Sequence, residues 1–517
     1  MREFCRKGCA VVAAAAIAAA ADAAIEMGAP FSDGAVLQCG MEVPVWGKAS
    51  PGATVKVSFA GAERTASAAG DGRWLVRLPA MEVCRDGREM RVESGGESVT
   101  VRDVLVGEVW FAAGQSNMET AIWADHSRYR DENGGLMVEM TRLPLVRYVK
   151  VPHAWSTEPA PVAAKWRRFV PGDLKEFTPI TISMGSFNVS LSAVAFYYAR
   201  ELHLALGVPV GIVESSWGGT NIDAWTPRSG YDGCDPSIRD AAEYRVRSEW
   251  TAADAAGPIT GACQQPTVLY NGMVGAFAPM AMRGMIWYQG CHNAGRFAGT
   301  YCAKMHALFE GWKREFLNPG LKMYFVQLAP WKQNWVSLVE QQNMFAAEEP
   351  NAALAVTSDV GNFWDIHPNR KEIVARRLAV HALKRDYGFD IPEDDSPVLS
   401  GVRYADGAAV LEFSHATGLY VYAADGSHDA AFELAGADGV WHPARIVNFR
   451  PGTDRHGNKR DSDFIDEPRI VLRSDAVASP SAVRYMARDR TAGTVYNQVS
   501  LPLGPFGEDA ARKVTRQ

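Results

Sequence analysis

The chain has 517 residues, which at roughly 150 residues per domain allows about three domains and excludes a single small binding module. Hydrophobic residues at 47% and charged residues at 22% exclude wholesale disorder. Lys plus Arg number 53 against 59 Asp plus Glu, and the resulting net charge of −6 gives nucleic acid little to bind. The 15 Trp are many, and suit either packing or sugar contact.

Residues 1–24 read as a signal peptide. Arg2, Arg6 and Lys7 form a basic start, Val11 to Ala21 an apolar run, and Ala21 and Ala23 an A-x-A-like cleavage site. The run is too short to span a bilayer. Together these predict a secreted or periplasmic protein with no membrane span. Six cysteines follow the leader: Cys39, Cys84, Cys234, Cys263, Cys291 and Cys302. Disulfides are permitted in that compartment, but spacing does not choose a pairing, and no C-x-x-C motif supports a metal or redox site.

Residues 28–104 are expected to form an N-terminal β-sandwich-like domain. Val55 to Phe59 alternates apolar and polar residues, as does Trp74 to Leu78, and turn dipeptides such as Asp33-Gly34 and Pro51-Gly52 separate them. Over 105–390 the texture changes. Val104 to Ala112, Val210 to Glu214, Gly284 to Tyr288, Met323 to Leu328 and Ala353 to Thr357 read as buried strands. Helical periods lie between them, such as Val194 to Leu206 and Tyr301 to Phe316. Strand and helix in alternation predict an α/β domain with a parallel sheet and its site at the carboxyl ends of the strands. The stretch 120–180 is read as an irregular lid or wall over that edge. Pro392 to Pro397 is read as a linker, and 398–510 as a C-terminal β domain.

Four loops at the predicted carboxyl edge carry candidate chemistry. Gly114-Gln115-Ser116-Asn117-Met118 places a Ser just past a buried strand, at the start of a helix. A Ser nucleophile needs a base, and Asp365-Ile366-His367-Pro368 supplies an acid and a base two residues apart. Trp217-Gly218-Gly219-Thr220 and Gln289-Gly290-Cys291-His292-Asn293 each follow a strand of their own. The Ser116 and Gly219 N–H groups and the Asn293 amide could together stabilise an oxyanion. Cys291 with His292 is a rival nucleophile. A glycosidase would need paired carboxylates; Glu108 and Glu214 lie near strand ends, but nothing pairs them.

The order Ser, Gly, Asn, His across successive strands resembles the SGNH (GDSL-like) hydrolase superfamily. Within it, the chain is similar to the sialate O-acetylesterase family of carbohydrate esterases. The resemblance covers nearly the whole mature chain, from Val36-Leu37-Gln38 through Val109-Trp110-Phe111 and Phe325-Val326-Gln327-Leu328 to Pro505-Phe506. It implies a three-layer α/β/α catalytic domain flanked by the two β domains. It implies Ser116 as nucleophile, His367 as general base, and Ser116, Gly219 and Asn293 as the oxyanion hole. Asp365 is the acid it suggests, although the superfamily spacing is Asp-x-x-His; Asp359, or no acid at all, is the alternative. Gln115, Trp217, Gln289 and Trp364 are candidate substrate contacts, with Glu119 and Gln327 as supporting polar groups. An acetylated carbohydrate is the implied partner; no metal or organic cofactor is implied, and oligomeric state stays open. The family's Gln-Gly-Glu-Ser-Asn stands here as Gln289-Gly290-Cys291-His292-Asn293, which keeps the Asn and changes what surrounds it. Acetylated xylan or pectin, and a non-catalytic glycan-binding protein, are the other readings.

Overall fold

In the computed structural model, the described residues are 24–122, 141–169, 191–232, 234, 238, 262–295, 298–333, 335–361, 363–422, 431–453, 462–465, 467–489 and 491–515. The signal-peptide reading falls almost wholly outside them. So does much of the expected lid, over 123–140 and 170–190.

The N-terminal region is β structure, as its alternation requires. Along Arg73–Leu78 the residues Trp74, Val76 and Leu78 are buried and their neighbours exposed, because successive strand residues face opposite sides. This region does not end at residue 104. One strand, β1 (Glu97–Gly114), pairs antiparallel with Cys84–Ser94 in its first part, then enters the central sheet. The expected boundary at 104/105 therefore falls inside a strand. The apolar core runs unbroken from Ile25 to Ala382.

The central sheet contains β1, β2 (Val146–Lys150), β3 (Val210–Ser216), β4 (Gly284–Tyr288), β5 (Lys322–Val326) and β6 (Ala352–Ala355), in the order β2-β3-β1-β4-β5-β6, all parallel. Arg167–Arg168 adds a short antiparallel edge. Strand β2 lies inside the stretch read as an irregular lid, so part of that stretch extends the sheet instead.

Helices cover both faces. Trp110 meets Tyr198 of α2 (Ala193–Leu206) at a centroid distance of 5.2 Å. Its neighbour Phe111 points the other way, 5.1 Å from Trp312 of α4 (Tyr301–Glu315). Helix α6 (Lys371–Arg385) packs with α2, and α5 (Val336–Glu348) with α4. From β1 the chain builds β2 and β3 on one side, then β4 to β6 on the other. The reversal puts a crevice at the carboxyl end of β1. Two four-residue helices open on that crevice: α1 (Ser116–Glu119) and α3 (Cys291–Ala294).

The C-terminal region has a second core, built around Leu411, Phe432, Leu434, Ile470, Leu472 and Val483. Its strands are antiparallel, for example Ala408–Ser414 with Val398–Ala405 and Arg469–Arg473. It packs on the central region: Ser358 Oγ donates to Leu503 O at 2.9 Å, and Gly507 N–H to Glu340 Oε1 at 2.8 Å. The expected linker is anchored, since Asp394 is buried and ion-paired to His381, Lys384 and Arg385.

Candidate active site

Three strand ends converge on Gly114. In register it faces Ser216 of β3 on one side and Tyr288 of β4 on the other. Its φ is +146°, and a Cβ there would lie 2.2 Å from Tyr288 O, so only glycine lets β1 turn this closely against β4. The turn delivers Ser116, half-buried, to the crevice.

The loop after β6 brings His367 to the same place. Its Nε2 lies 2.8 Å from Ser116 Oγ. The two residues are 251 positions apart, and two further contacts fix their loops. Asn117 Nδ2 donates to Ile366 O at 3.1 Å, and the buried Lys371 ammonium, at the start of α6, donates to Asn117 Oδ1.

Asp365 Oδ1 accepts the His367 backbone N–H at 2.9 Å and stands 3.6 Å from His367 Nδ1. The first contact shapes the loop. The second is beyond hydrogen-bond length. Asp359 is placed elsewhere. Both its oxygens are bound by Arg377 at 2.7 Å, which removes it as an alternative acid.

Asn293 is fully buried. Its Oδ1 accepts from Ile222 N–H at 3.2 Å and Gln289 Nε2 at 2.8 Å. That orientation leaves Nδ2 with no partner among the described residues. A buried amide donor without an acceptor is costly unless something binds it. Gly219, at φ +75° and exposed, gives its carbonyl to Gln264 Nε2 at 2.6 Å, and its N–H meets no acceptor among the described residues. The preceding Gly218 N–H is held by Glu119 Oε2 at 2.7 Å, and a Cβ on Gly218 would lie 3.2 Å from Ser116 Cβ. Glu119 Oε1 in turn lies 2.7 Å from His153 Nε2, and the His153 ring stacks on Trp217 at 4.3 Å.

A family model described as carbohydrate esterase, sialic acid-specific acetylesterase, matches residues 106–375. A solved carbohydrate acetylesterase from Xanthomonas citri is 32% identical, with a TM-score of 0.76, covering 93% of this chain and 99% of that one. The chain belongs to the sialic acid-specific acetylesterase family of carbohydrate esterases. The sialate O-acetylesterase of Mus musculus is 24% identical over 79% of this chain and 82% of its own length. That of Homo sapiens is 26% identical over 66% and 67%.

As a member of this family the protein is a carboxylic ester hydrolase, which displaces the binding-protein and glycosidase readings. The carboxylates named for the latter are otherwise engaged: Glu108 with Arg283, Gln38 and Tyr387, and Glu214 with Lys150.

The other expected site residues divide by exposure. Gln289 is fully buried, donating to Thr220 O and Asn293 Oδ1 and accepting the Tyr301 hydroxyl at 2.6 Å. Gln115 is buried, and its Oε1 accepts the N–H groups of Gly290 and His292. These contacts bind one loop to the next, and those of Gln289 engage both its amide oxygen and its amide nitrogen. Trp364 is 82% exposed beside the His367 loop and Trp217 is half-buried. Burial pushes the Cys291 thiol up to about 11, against the opposing influence of Lys371 and Asn117. At neutral pH it is a thiol and not a thiolate, which counts against it as a nucleophile. No disulfide joins the six described cysteines.

The loop contacts of Asn117 and Lys371 had no signal in the sequence. Glu119 stood out only as a nearby carboxylate, because its partner Gly218 is 99 residues away.

Proposed function

We propose that the protein is an exported serine esterase that hydrolyses O-acetyl esters of a carbohydrate, O-acetylated sialic acid first among them, through an acetyl-enzyme on Ser116. The observation that carries this reading is the 2.8 Å approach of His367 Nε2 to Ser116 Oγ. The unpartnered Asn293 amide in a neighbouring loop supports it. The arrangement is of SGNH type, with one contribution from the loop after each of four strands.

In this mechanism Ser116 Oγ attacks the ester carbonyl and His367 takes its proton. The tetrahedral oxyanion is bound by the N–H groups of Ser116 and Gly219 and by Asn293 Nδ2. Glu119, by fixing the Gly218 N–H, leaves the Gly219 N–H as the donor free to turn inward. The sugar alcohol departs with the proton from His367. Water then attacks the acetyl-enzyme by the same route. Asp365 stabilises the imidazolium at 3.6 Å and closes on Nδ1 when substrate binds, since such bonds often tighten only in the complex. Trp364 and Trp217 offer ring faces to the sugar. Export rests on the basic and apolar leader; among the described residues no helix is long and apolar enough to cross a membrane.

The test is acetate release from 9-O-acetylated sialic acid, acetylated xylan and acetylated pectin, with the S116A variant in parallel. Release from sialic acid that vanishes in S116A is the expected result. Release from xylan or pectin alone would change the sugar and keep the chemistry. Release undiminished in S116A would remove the mechanism.

A further inference from the structure

Cys302 and His306 are four residues apart on α4, so they share one helix face. Glu348 ends α5 directly across from them. Cys302 Sγ lies 3.5 Å from Glu348 Oε2, and His306 Nε2 lies 3.0 Å from the same oxygen. One potential ligand atom from each residue falls within 4.8 Å of the other two.

These separations can be compared with what a metal requires. Zinc bound tetrahedrally by thiolate, imidazole and carboxylate at ordinary bond lengths sets a sulfur–oxygen edge of about 3.6 Å and a nitrogen–oxygen edge of about 3.4 Å. Both observed edges lie within about half an ångström of these values, so side-chain adjustment alone would admit the ion. The surroundings hold the ligands in place: Cys302 N–H donates to Gln341 Oε1 at 3.3 Å, and the His306 ring packs edge-on against Phe345 at 4.8 Å. The side chains of His306 and Glu348 are 34% and 52% exposed, which gives an ion a way in.

The charge balance separates this cluster from two others. His381 with Asp394 and Asp395, and Glu393 with Asp395 and His415, also gather ligand types. There, Lys384 and Arg385 already neutralise the aspartates. Among the described residues no Lys or Arg pairs with Glu348.

We propose that Cys302, His306 and Glu348 form a binding site for one borderline-soft divalent cation, zinc foremost, with water in the fourth position. A thiolate and an imidazole select zinc over calcium or magnesium, which prefer oxygen ligands. The ion would pin α4 to α5. Tyr301, the residue before Cys302, donates its hydroxyl to Gln289 Oε1 at 2.6 Å, and Gln289 holds Asn293 Oδ1 at 2.8 Å. The cation site is thus one residue from the chain of bonds that orients the Asn293 amide. The C-x-x-C pattern sought in the sequence could not reveal it, because two ligands are in helical i, i+4 register and the third is 42 residues further on.

The test is a titration of the purified, thiol-reduced protein with cobalt(II) as the spectroscopic probe. The expected result is one equivalent bound, with tetrahedral visible bands and a sulfur-to-cobalt charge-transfer band, both displaced by zinc. C302S and H306A should lose the spectrum, while C84S and C263S keep it. E348Q, a conservative change on a half-exposed side chain, should weaken zinc binding about tenfold or more. Zinc should raise the thermal midpoint of the wild type and leave that of C302S unchanged. A wild-type protein that binds no stoichiometric cobalt, or a C302S spectrum identical to wild type, would overturn the proposal.

Discussion

The central sheet and the C-terminal β region handle polar groups in opposite ways. In the C-terminal strands polarity alternates along the chain: in Arg469–Arg473 the inward residues Ile470 and Leu472 are buried and the two arginines exposed. The central strands are buried along their length, as in Val210–Ser216 and Gly284–Tyr288, with polar groups gathered at their carboxyl ends. Ser215 Oγ, Asn293 Nδ2 and Gln327 Oε1 are buried there without hydrogen-bond partners, and no such side-chain atom occurs after residue 398 among the described residues. Unsatisfied buried donors and acceptors cost stability. Others lie away from this edge, such as Trp74 Nε1 and Tyr198 Oη, so only those at the strand ends next to the Ser116 loop point to a ligand, and the C-terminal region offers none among the described residues.

The largest effect that sharpens this contrast is at Asn293. N293A is expected to lower kcat about 10²- to 10³-fold in the folded enzyme, and also to lower thermal stability, because it deprives the buried Ile222 N–H and Gln289 Nε2 of their acceptor. Unchanged turnover would detach the orphan amide from catalysis.

The two aspartates flanking the His367 loop divide in the same way. D365N should lower kcat/KM about 10- to 100-fold, less than for a tightly bonded triad acid, since 3.6 Å leaves the interaction mainly electrostatic. D359N should instead lower the melting temperature by breaking the Arg377 fork, with kcat retained in the folded enzyme. Steady-state kinetics beside thermal unfolding distinguish the two.

The smallest effect belongs to the joint between the regions. Burial raises the Asp394 carboxyl, but His381, Lys384 and Arg385 outweigh it and hold the group well below the usual carboxylate range. A depressed folded value contributes stability above the unfolded value, and loses it as pH falls through and below about 4. D394N should therefore be less stable than wild type at neutral pH, and the gap should narrow in acid. A constant gap from pH 7 to 3 would contradict this.

These contrasts were unevenly legible in the sequence. The buried strands announced themselves as apolar runs, and the helices by their period, so the loops after them could be lined up. That is why Ser116, Gly219, Asn293 and His367 could be named together. Strand β2 was hidden because Val146–Lys150 is short, carries Arg147 and Lys150, and lies between irregular stretches. The boundary at 104/105 was misplaced because β1 changes partners without changing its apolar character. Choosing between Asp365 and Asp359 needed the position of Arg377. Gln115 and Gln289 read as substrate contacts because loop glutamines at a strand end look alike until their hydrogen-bond partners are known.

The central claim is that Ser116, made nucleophilic by His367, is the atom acylated in turnover. The most direct measurement is mass spectrometry of the protein after a serine-directed phosphonate ester has reacted with it. The account predicts one stoichiometric adduct on the peptide carrying Ser116, absent in S116A and formed far more slowly in H367A. An adduct on Cys291 or any other residue, or labelling that persists in S116A, would contradict it.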